Sequence, residues 1–220
     1  TRGEGGSPAP GSTITPGRSL ADVRESELRA AAQLLGASAV HLLGWIDSGM
    51  DGDPAAGTLC AAPLDDVAGR VAAAIDDLCP HIVVTLDGSD GHRDHIHLRD
   101  ATLAAVERST WQVAGVYLHC LPQALMREWV DELRRAQPEA PYLALGELGT
   151  PPEAISTVID TSALIDVRER AIALHATQTS PYEQMSRSLR REFLSAERLI
   201  RVRPPWTGGV RETELWPCTT

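Results

Sequence analysis

Short apolar runs alternate with amphipathic segments along this 220-residue chain, and this alternation restricts the fold more than any other feature. The apolar runs predict strands at about 39–45, 81–86, 113–120, 141–148 and 156–162. The amphipathic segments predict helices at 20–35, 64–78, 96–109, 122–136, 165–178 and 181–199, before a tail at 200–220 that is rich in Pro and Gly. Strands that alternate with helices predict a single α/β domain whose parallel sheet carries helices on both faces.

Two polar loops follow predicted strands of this sheet. The stretch "DGSDGHRDHIHLRD", residues 87–100, follows the strand at 81–86 and holds three His and four Asp. The stretch "IDSGMDG" follows the strand at about 39–45. Because loops at the carboxyl ends of parallel strands line the ligand crevice, we expect the two loops to converge on one rim.

The loop at 87–100 has a spacing suited to metal or acid–base chemistry. His92 and His95 are three residues apart, which places both on one side of a helical turn. One imidazole could ligate a metal while the other donates a proton or stabilises an oxyanion, and Asp94 could orient a ring. The alternative is a polar capping turn with Asp90 or Asp94 near a helix N-terminus. We expect His97 to rotate away from the pair.

Composition excludes several classes of partner. The net charge is −10 and no basic cluster occurs, which argues against nucleic acid as the main partner. No apolar run approaches the roughly 20 residues of a membrane span, and no signal-peptide pattern stands at the start. The scattered cysteines predict neither a disulfide framework nor a thiolate zinc site, so we expect a cytoplasmic protein; a homo-oligomer is compatible with the sequence. The cysteines are Cys60, Cys79, Cys120 and Cys218.

Several motifs in order resemble the LmbE-like (PIG-L) zinc-dependent N-deacetylases. "PHIVVTLDGSDGHRDHIHLRDATLAAV" is similar to the second signature of that family, a strand followed by His-Pro-Asp-His. "TRGEGG", "RESELRAAAQLLGASAVHLLGWIDSGM" and "IDTSALIDVRERAIALHATQTSP" are similar to segments that flank it. The resemblance covers about residues 1–200. It implies a Rossmann-like, mostly parallel α/β fold, and hydrolysis of an N-acetyl amide on a small amino-sugar conjugate of the N-acetylglucosamine type. The stretch "DSGM" is similar to that of members that act on GlcNAc-inositol or mycothiol conjugates.

The resemblance also implies roles for residues of the second signature. His95 matches the zinc ligand, His92 the acid or oxyanion stabiliser, and Asp94 the supporting carboxylate between them. The sequence departs from the family at Arg93, where Pro is usual, and at Asp90, where some members have a Tyr that assists the oxyanion.

Arg24 and Asp47 match positions where members of the family contact substrate hydroxyls. Each has an alternative that concerns structure alone. Arg24 could pair with Glu27 or Asp22 on a solvated helix face, and Asp47 could be a turn former before Ser48-Gly49.

The family's first signature, Ala-His-Pro-Asp-Asp-Glu, does not occur in the sequence. That motif supplies two zinc ligands and the general base, and it would precede Thr1. We therefore expect an incomplete zinc site, a sheet without its first strand region, and a chain that is inactive by itself. The alternative is a non-catalytic or degenerate family member that binds a sugar conjugate without metal. An unrelated nucleotide-binding domain is disfavoured, because no Gly-x-Gly-x-x-Gly follows a strand and "DGSDG" is acidic.

Overall fold

A computed structural model describes residues 1–14 and 16–215. The helices are α1 (Leu20–Leu34), α2 (Leu64–Leu78), α3 (Arg93–Arg108), α4 (Gln123–Ala136), α5 (Ile165–Ala173) and α6 (Arg187–Leu194). The strands are β1 (Ile82–Leu86), β2 (Gly115–His119), β3 (Thr157–Asp160) and β4 (Ala196–Arg203). Two 3-10 turns occupy Pro141–Ala144 and Ser162–Leu164.

The four strands form one sheet in the order β1-β2-β4-β3, so the predicted α/β class is confirmed. β1 and β2 are parallel, whereas β4 is antiparallel to both β2 and β3. The sheet is therefore mixed rather than mostly parallel. β3 and β4 are antiparallel although the chain between them contains α5 and α6, so an intervening helix does not by itself make two strands parallel. β1 lies at one edge of the sheet that the described residues form.

Two apolar clusters hold the fold together. The first joins α2 and α3 to the sheet, where the small side chains of Ala68 and Ala105 let the helices approach Val116 of β2. The second joins α4 to α6 around Trp129 and Phe193. No helix within the described residues is long and apolar enough to span a membrane.

The structure corrects three elements of the prediction. Residues 39–45 form no strand, and only an isolated bridge joins Ile46 to Thr58. Residues 141–148 begin with a 3-10 turn instead of a strand. The helix predicted at 181–199 is confined to Arg187–Leu194, and residues 196–199 belong to β4.

The predicted tail at 200–220 is also partly regular. β4 continues to Arg203, and Glu212 exchanges backbone hydrogen bonds with Ser156 and Val158 beside β3. Cys60, Cys79 and Cys120 are free thiols, as the sequence predicts, while Cys218 lies outside the described residues.

Candidate active site

The two polar loops meet at the first turn of α3, as the sequence predicts. The backbone N–H of Ser48 donates to Asp94 Oδ2 at 3.1 Å. A second contact comes from the thiol of Cys60, which donates to Asp94 Oδ1 at 3.1 Å. The segment 46–60 is thereby joined to α3 through one buried carboxylate, whose residue is 5% exposed.

Arg93 adds a clamp to the same junction. Its Nε donates to the carbonyl of Gly49 at 2.8 Å, and its terminal nitrogens donate to the carbonyls of Gly52 at 2.6 Å and Asp51 at 2.9 Å. A further hydrogen bond reaches the carbonyl of Ser48. Sequence comparison marked Arg93 only as a departure from proline, and its part in holding the loop was missed.

His92 is the N-cap of α3, with φ −78° and ψ 123°. Its Nδ1 accepts the backbone N–H of Asp94 at 3.2 Å. In the neutral imidazole the proton must then sit on Nε2, which makes that nitrogen a hydrogen-bond donor. The ring stacks on that of His95 with 4.6 Å between centroids, so the predicted pair is brought together.

The Nδ1 of His95 lies 2.5 Å from Asp90 Oδ2. Burial alone lowers the pKa of His95, but the hydrogen bond and charge of Asp90 outweigh it and raise the pKa above its ordinary value. Burial likewise raises the pKa of Asp90, yet the hydrogen bond and charge of His95 bring it below the ordinary value. A carboxylate that fixes one ring nitrogen leaves Nε2 as the lone-pair donor, which is the usual second-shell arrangement of a metal-binding His.

The partner of His95 differs from the residue that the sequence suggested. Asp94 was the predicted ring-orienting carboxylate, but its hydrogen bonds go to Ser48 and Cys60, and Asp90 orients His95 instead. Burial raises the pKa of Asp94, and the hydrogen bonds from Ser48 and Cys60 more than reverse this, so its pKa is lowered. Asp94 is thus an ionised carboxylate that supports the loop, and its catalytic role stays a prediction.

Arg24 lies in α1 and is 6% exposed, which does not match the alternative of a solvated helix face. Its guanidinium donates to the carbonyls of Gly3, Ser7 at 3.0 Å and Thr177 at 3.2 Å. The backbone N–H and the hydroxyl of the same Thr177 donate to the carboxylate of Glu27, at 2.9 and 2.8 Å. Arg24 therefore organises the segment 3–7, and a contact from it to substrate stays a prediction.

Asp47 forms the turn before Ser48-Gly49 that the sequence offered as the alternative to substrate binding. Its Oδ1 accepts the N–H of Gly49 at 2.7 Å, an Asx-type contact. The N–H of Asp47 donates to Glu4 Oε2 at 3.3 Å, so the residue also lies beside the segment that Arg24 holds. Its predicted contact with substrate hydroxyls is compatible with this position.

The donor set does not fit a complete zinc site. A catalytic zinc usually has three protein ligands and one open position. Across residues 1–14 and 16–215, no group of three or more His, Cys, Asp or Glu side chains is placed to hold a metal ion. His95 Nε2 is the one donor at the junction whose tautomer and second-shell partner suit a metal.

Comparison with known proteins agrees with these motifs. The family model described as "PIG-L: GlcNAc-PI de-N-acetylase" matches residues 1–106. The 1D-myo-inositol 2-acetamido-2-deoxy-alpha-D-glucopyranoside deacetylase of Geodermatophilus obscurus is 31% identical over a 212-residue alignment that covers 83% of this chain and 72% of the relative. The protein of the same name from Mycolicibacterium vanbaalenii is 37% identical over a 172-residue alignment that covers 73% of this chain and 61% of the relative.

The fold has solved counterparts. A deacetylase of the teicoplanin biosynthesis pathway, solved in complex with BOG, superposes with a TM-score of 0.53. The sequences are 20% identical, and the match covers 90% of this chain and 83% of that one. The likeness shows a shared fold.

Proposed function

The chain belongs to the PIG-L family, and from this premise we propose that it serves the hydrolysis of an N-acetyl amide on an amino-sugar conjugate. The observation that carries the proposal is the His92–His95 pair at the start of α3, packed against the loop that bears Asp47. Two relatives named as deacetylases of a GlcNAc-inositol conjugate, 31% and 37% identical, support the substrate class.

The proposed roles follow from the hydrogen bonds of the pair. Hydrolysis adds water to the amide carbonyl, breaks the C–N bond, and releases acetate and the free amine. His92 presents Nε2–H, because its Nδ1 already accepts the Asp94 N–H, and can donate to the developing oxyanion or to the leaving amine. Asp47 and Arg24 are proposed as substrate-binding groups near residues 3–7.

Zinc enters the proposal through His95 alone. Zinc in such a site would supply Lewis-acid polarisation of the amide. With one suitable donor among the described residues, we expect the 220-residue chain by itself to bind zinc weakly and to release amine slowly. The same observation favours the second candidate function, a sugar-conjugate-binding member that does not turn its ligand over.

Three measurements on the whole chain test the proposal. Calorimetry measures binding of an N-acetylglucosaminyl-inositol conjugate, and amine release is followed in parallel with zinc present. We expect binding that Asp47→Asn weakens and that Asp53→Asn, an exposed carboxylate of the same loop, leaves unchanged. Equilibrium dialysis compares zinc uptake by the native chain, His95→Ala and the exposed control His41→Ala.

The outcomes separate the two functions. Amine release that His92→Ala lowers supports the hydrolase. Binding without amine release at any zinc concentration supports the non-catalytic alternative. Failure to bind any N-acetylated amino-sugar conjugate, with no amine released, refutes both.

A further inference from the structure

A cavity of about 450 Å³ lies between α4, the 3-10 turn at Pro141–Ala144 and the segment 179–193. Its volume falls within the roughly 300–1,000 Å³ of small-molecule sites and is far larger than an acetyl methyl group needs. The apolar and aromatic side chains of its wall include Met126, Trp129, Leu133, Tyr142, Tyr182 and Phe193.

The cavity wall is organised by aromatic pairs. Trp129 and Tyr142 meet edge to face at 5.4 Å between centroids, and Tyr182 meets Phe193 at 6.2 Å in the same manner. Trp129 and Phe193 are buried members of the cluster between α4 and α6, which fixes one side of the cavity. Such a wall is already formed before a ligand arrives, so binding there loses little side-chain entropy.

The charges on the wall restrict the ligand. Asp90 and Glu132 are its carboxylic acids, and no Arg or His is among the described residues that line it. An anionic group would meet these two carboxylates and no cationic side chain among the described lining residues. The charges therefore disfavour an anion, and the aromatic and aliphatic wall suits an alkyl or aryl group.

Asp90 links the cavity to the candidate active site. The residue lines the cavity and also holds His95 Nδ1 at 2.5 Å. Only the side chain of Asp90 thus separates an apolar group that fills the cavity from His95. A ligand that occupies both places is a single molecule with a polar amide end and an apolar end.

We propose that this cavity holds an alkyl or aryl group carried by the substrate, and this inference rests on the function proposed above. The apolar group can belong to the N-acyl chain or to the aglycone of the sugar. Both present the same chemistry to Trp129 and Tyr182, and the experiment separates them.

Calorimetry with three glucosamine derivatives tests the inference on the full chain. The parent is the N-acetyl methyl glycoside, one arm is the N-acetyl hexyl glycoside, and the other is the N-hexanoyl methyl glycoside. We expect one arm to bind at least about tenfold more tightly than the parent, since each buried methylene strengthens binding.

Ala140→Trp fills the cavity from a lining position with extended backbone, φ −62° and ψ 132°, without removing a core side chain. Ala136→Trp, at the exposed end of α4 outside the cavity, is the matched control. A gain that disappears in Ala140→Trp and remains in Ala136→Trp supports the inference, and the arm that shows the gain identifies the acyl chain or the aglycone.

Other results overturn it. Parent binding without a gain in either arm, or a gain that Ala140→Trp leaves intact, removes the cavity from substrate binding while the proposed function stands. Binding of 1-hexanol alone, with no sugar derivative bound, would show an apolar site unrelated to the substrate and would overturn both proposals.

Discussion

Replacing Arg93 by proline tests the contribution of the Arg93 side chain separately from that of its backbone conformation. Arg93 is the first residue of α3, where a helix has no partner for the N–H and proline is tolerated. His92 before it has φ −78° and ψ 123°, within the extended region that a residue before proline prefers. Arg93→Pro should therefore keep the helix start and lose only the clamp on residues 48–52.

The magnitude follows from the four carbonyls that Arg93 reaches. Each lost hydrogen bond should lower the free energy of unfolding by about 0.5–1 kcal/mol, because these loop carbonyls bind water when the guanidinium is removed. Arg93→Met should then lower the free energy of unfolding by about 2–4 kcal/mol. Arg93→Pro should lose about 0.4–1 kcal/mol less, because proline restricts the unfolded chain.

Urea unfolding at pH 7 measures these differences as shifts of the midpoint at constant slope. Arg108→Met is the control, since it removes an exposed ion pair with Asp65 at the other end of α3 and should cost about 0–1 kcal/mol. If Arg93→Met costs no more than the Arg108 control, the clamp does not stabilise the loop and the reasoning is refuted.

Three further predictions concern other parts of the molecule. Burial raises the pKa of Glu197, but the hydrogen bond from His119 and the charge of Arg168, whose guanidinium lies 2.6 Å away, bring it below the ordinary value. The stabilising effect of Glu197 is therefore present at neutral pH and lost as pH falls below about 4.5. The difference in unfolding free energy between the native chain and Glu197→Gln should disappear in that range. A constant difference from pH 7 to 3 contradicts this. Cys60→Ser should keep the hydrogen bond to Asp94 while Cys60→Ala loses it, so urea unfolding should show the alanine variant less stable by about 0.5–1.5 kcal/mol; equal losses would exclude the bond as the cause. Gly149→Ala should lower the thermal midpoint by several degrees, since Gly149 has φ +90° and an added Cβ would lie 2.7 Å from backbone of α4; an unchanged midpoint would show that the turn yields without cost.

The helices could be read from the sequence because their apolar faces repeat locally. α2 occupies the predicted residues 64–78, and α4 begins one residue after its predicted start. In α4 the buried residues Leu125, Met126 and Trp129 lie on one face, which is what the periodicity detects. No knowledge of the rest of the chain is needed for such a prediction.

Strands require a partner, and an apolar run does not specify one. Residues 39–45 find no neighbouring strand; instead the guanidinium of Arg70 lies 5.0 Å from the ring centroid of Trp45 and donates to the carbonyl of Leu43 at 2.7 Å. β4 was missed for the opposite reason. Its buried position Arg201 is charged and pairs with Glu212 at 2.9 Å, so the alternation of apolar residues that marks a strand is hidden.

The candidate site was predictable where its geometry is helical. His92 and His95 meet because a helical turn brings residues three apart together. The contact between Asp90 and His95 depends on a turn in which Gly91 has φ +81° and donates to Gly88, and such a turn has no helical period. The clamp of Arg93 joins residues more than 40 positions apart, which one sequence without related sequences cannot reveal.

The absence of a strand at 39–45 makes the first turn of α3 the support of the neighbouring loop. Asp94 and Arg93 hold Ser48 and the carbonyls that follow it, while an isolated bridge joins Ile46 to Thr58 and the N–H of Asp47 donates to Glu4. The same helical turn carries the histidine pair. We therefore expect a change in its polar contacts to displace Asp47 and the imidazoles together, so that the substrate affinity and the proton transfer proposed for these residues vary jointly in variants of Arg93 or Asp94. Substitutions in the apolar contacts of α2 and α3 should instead lower stability without separating the two loops.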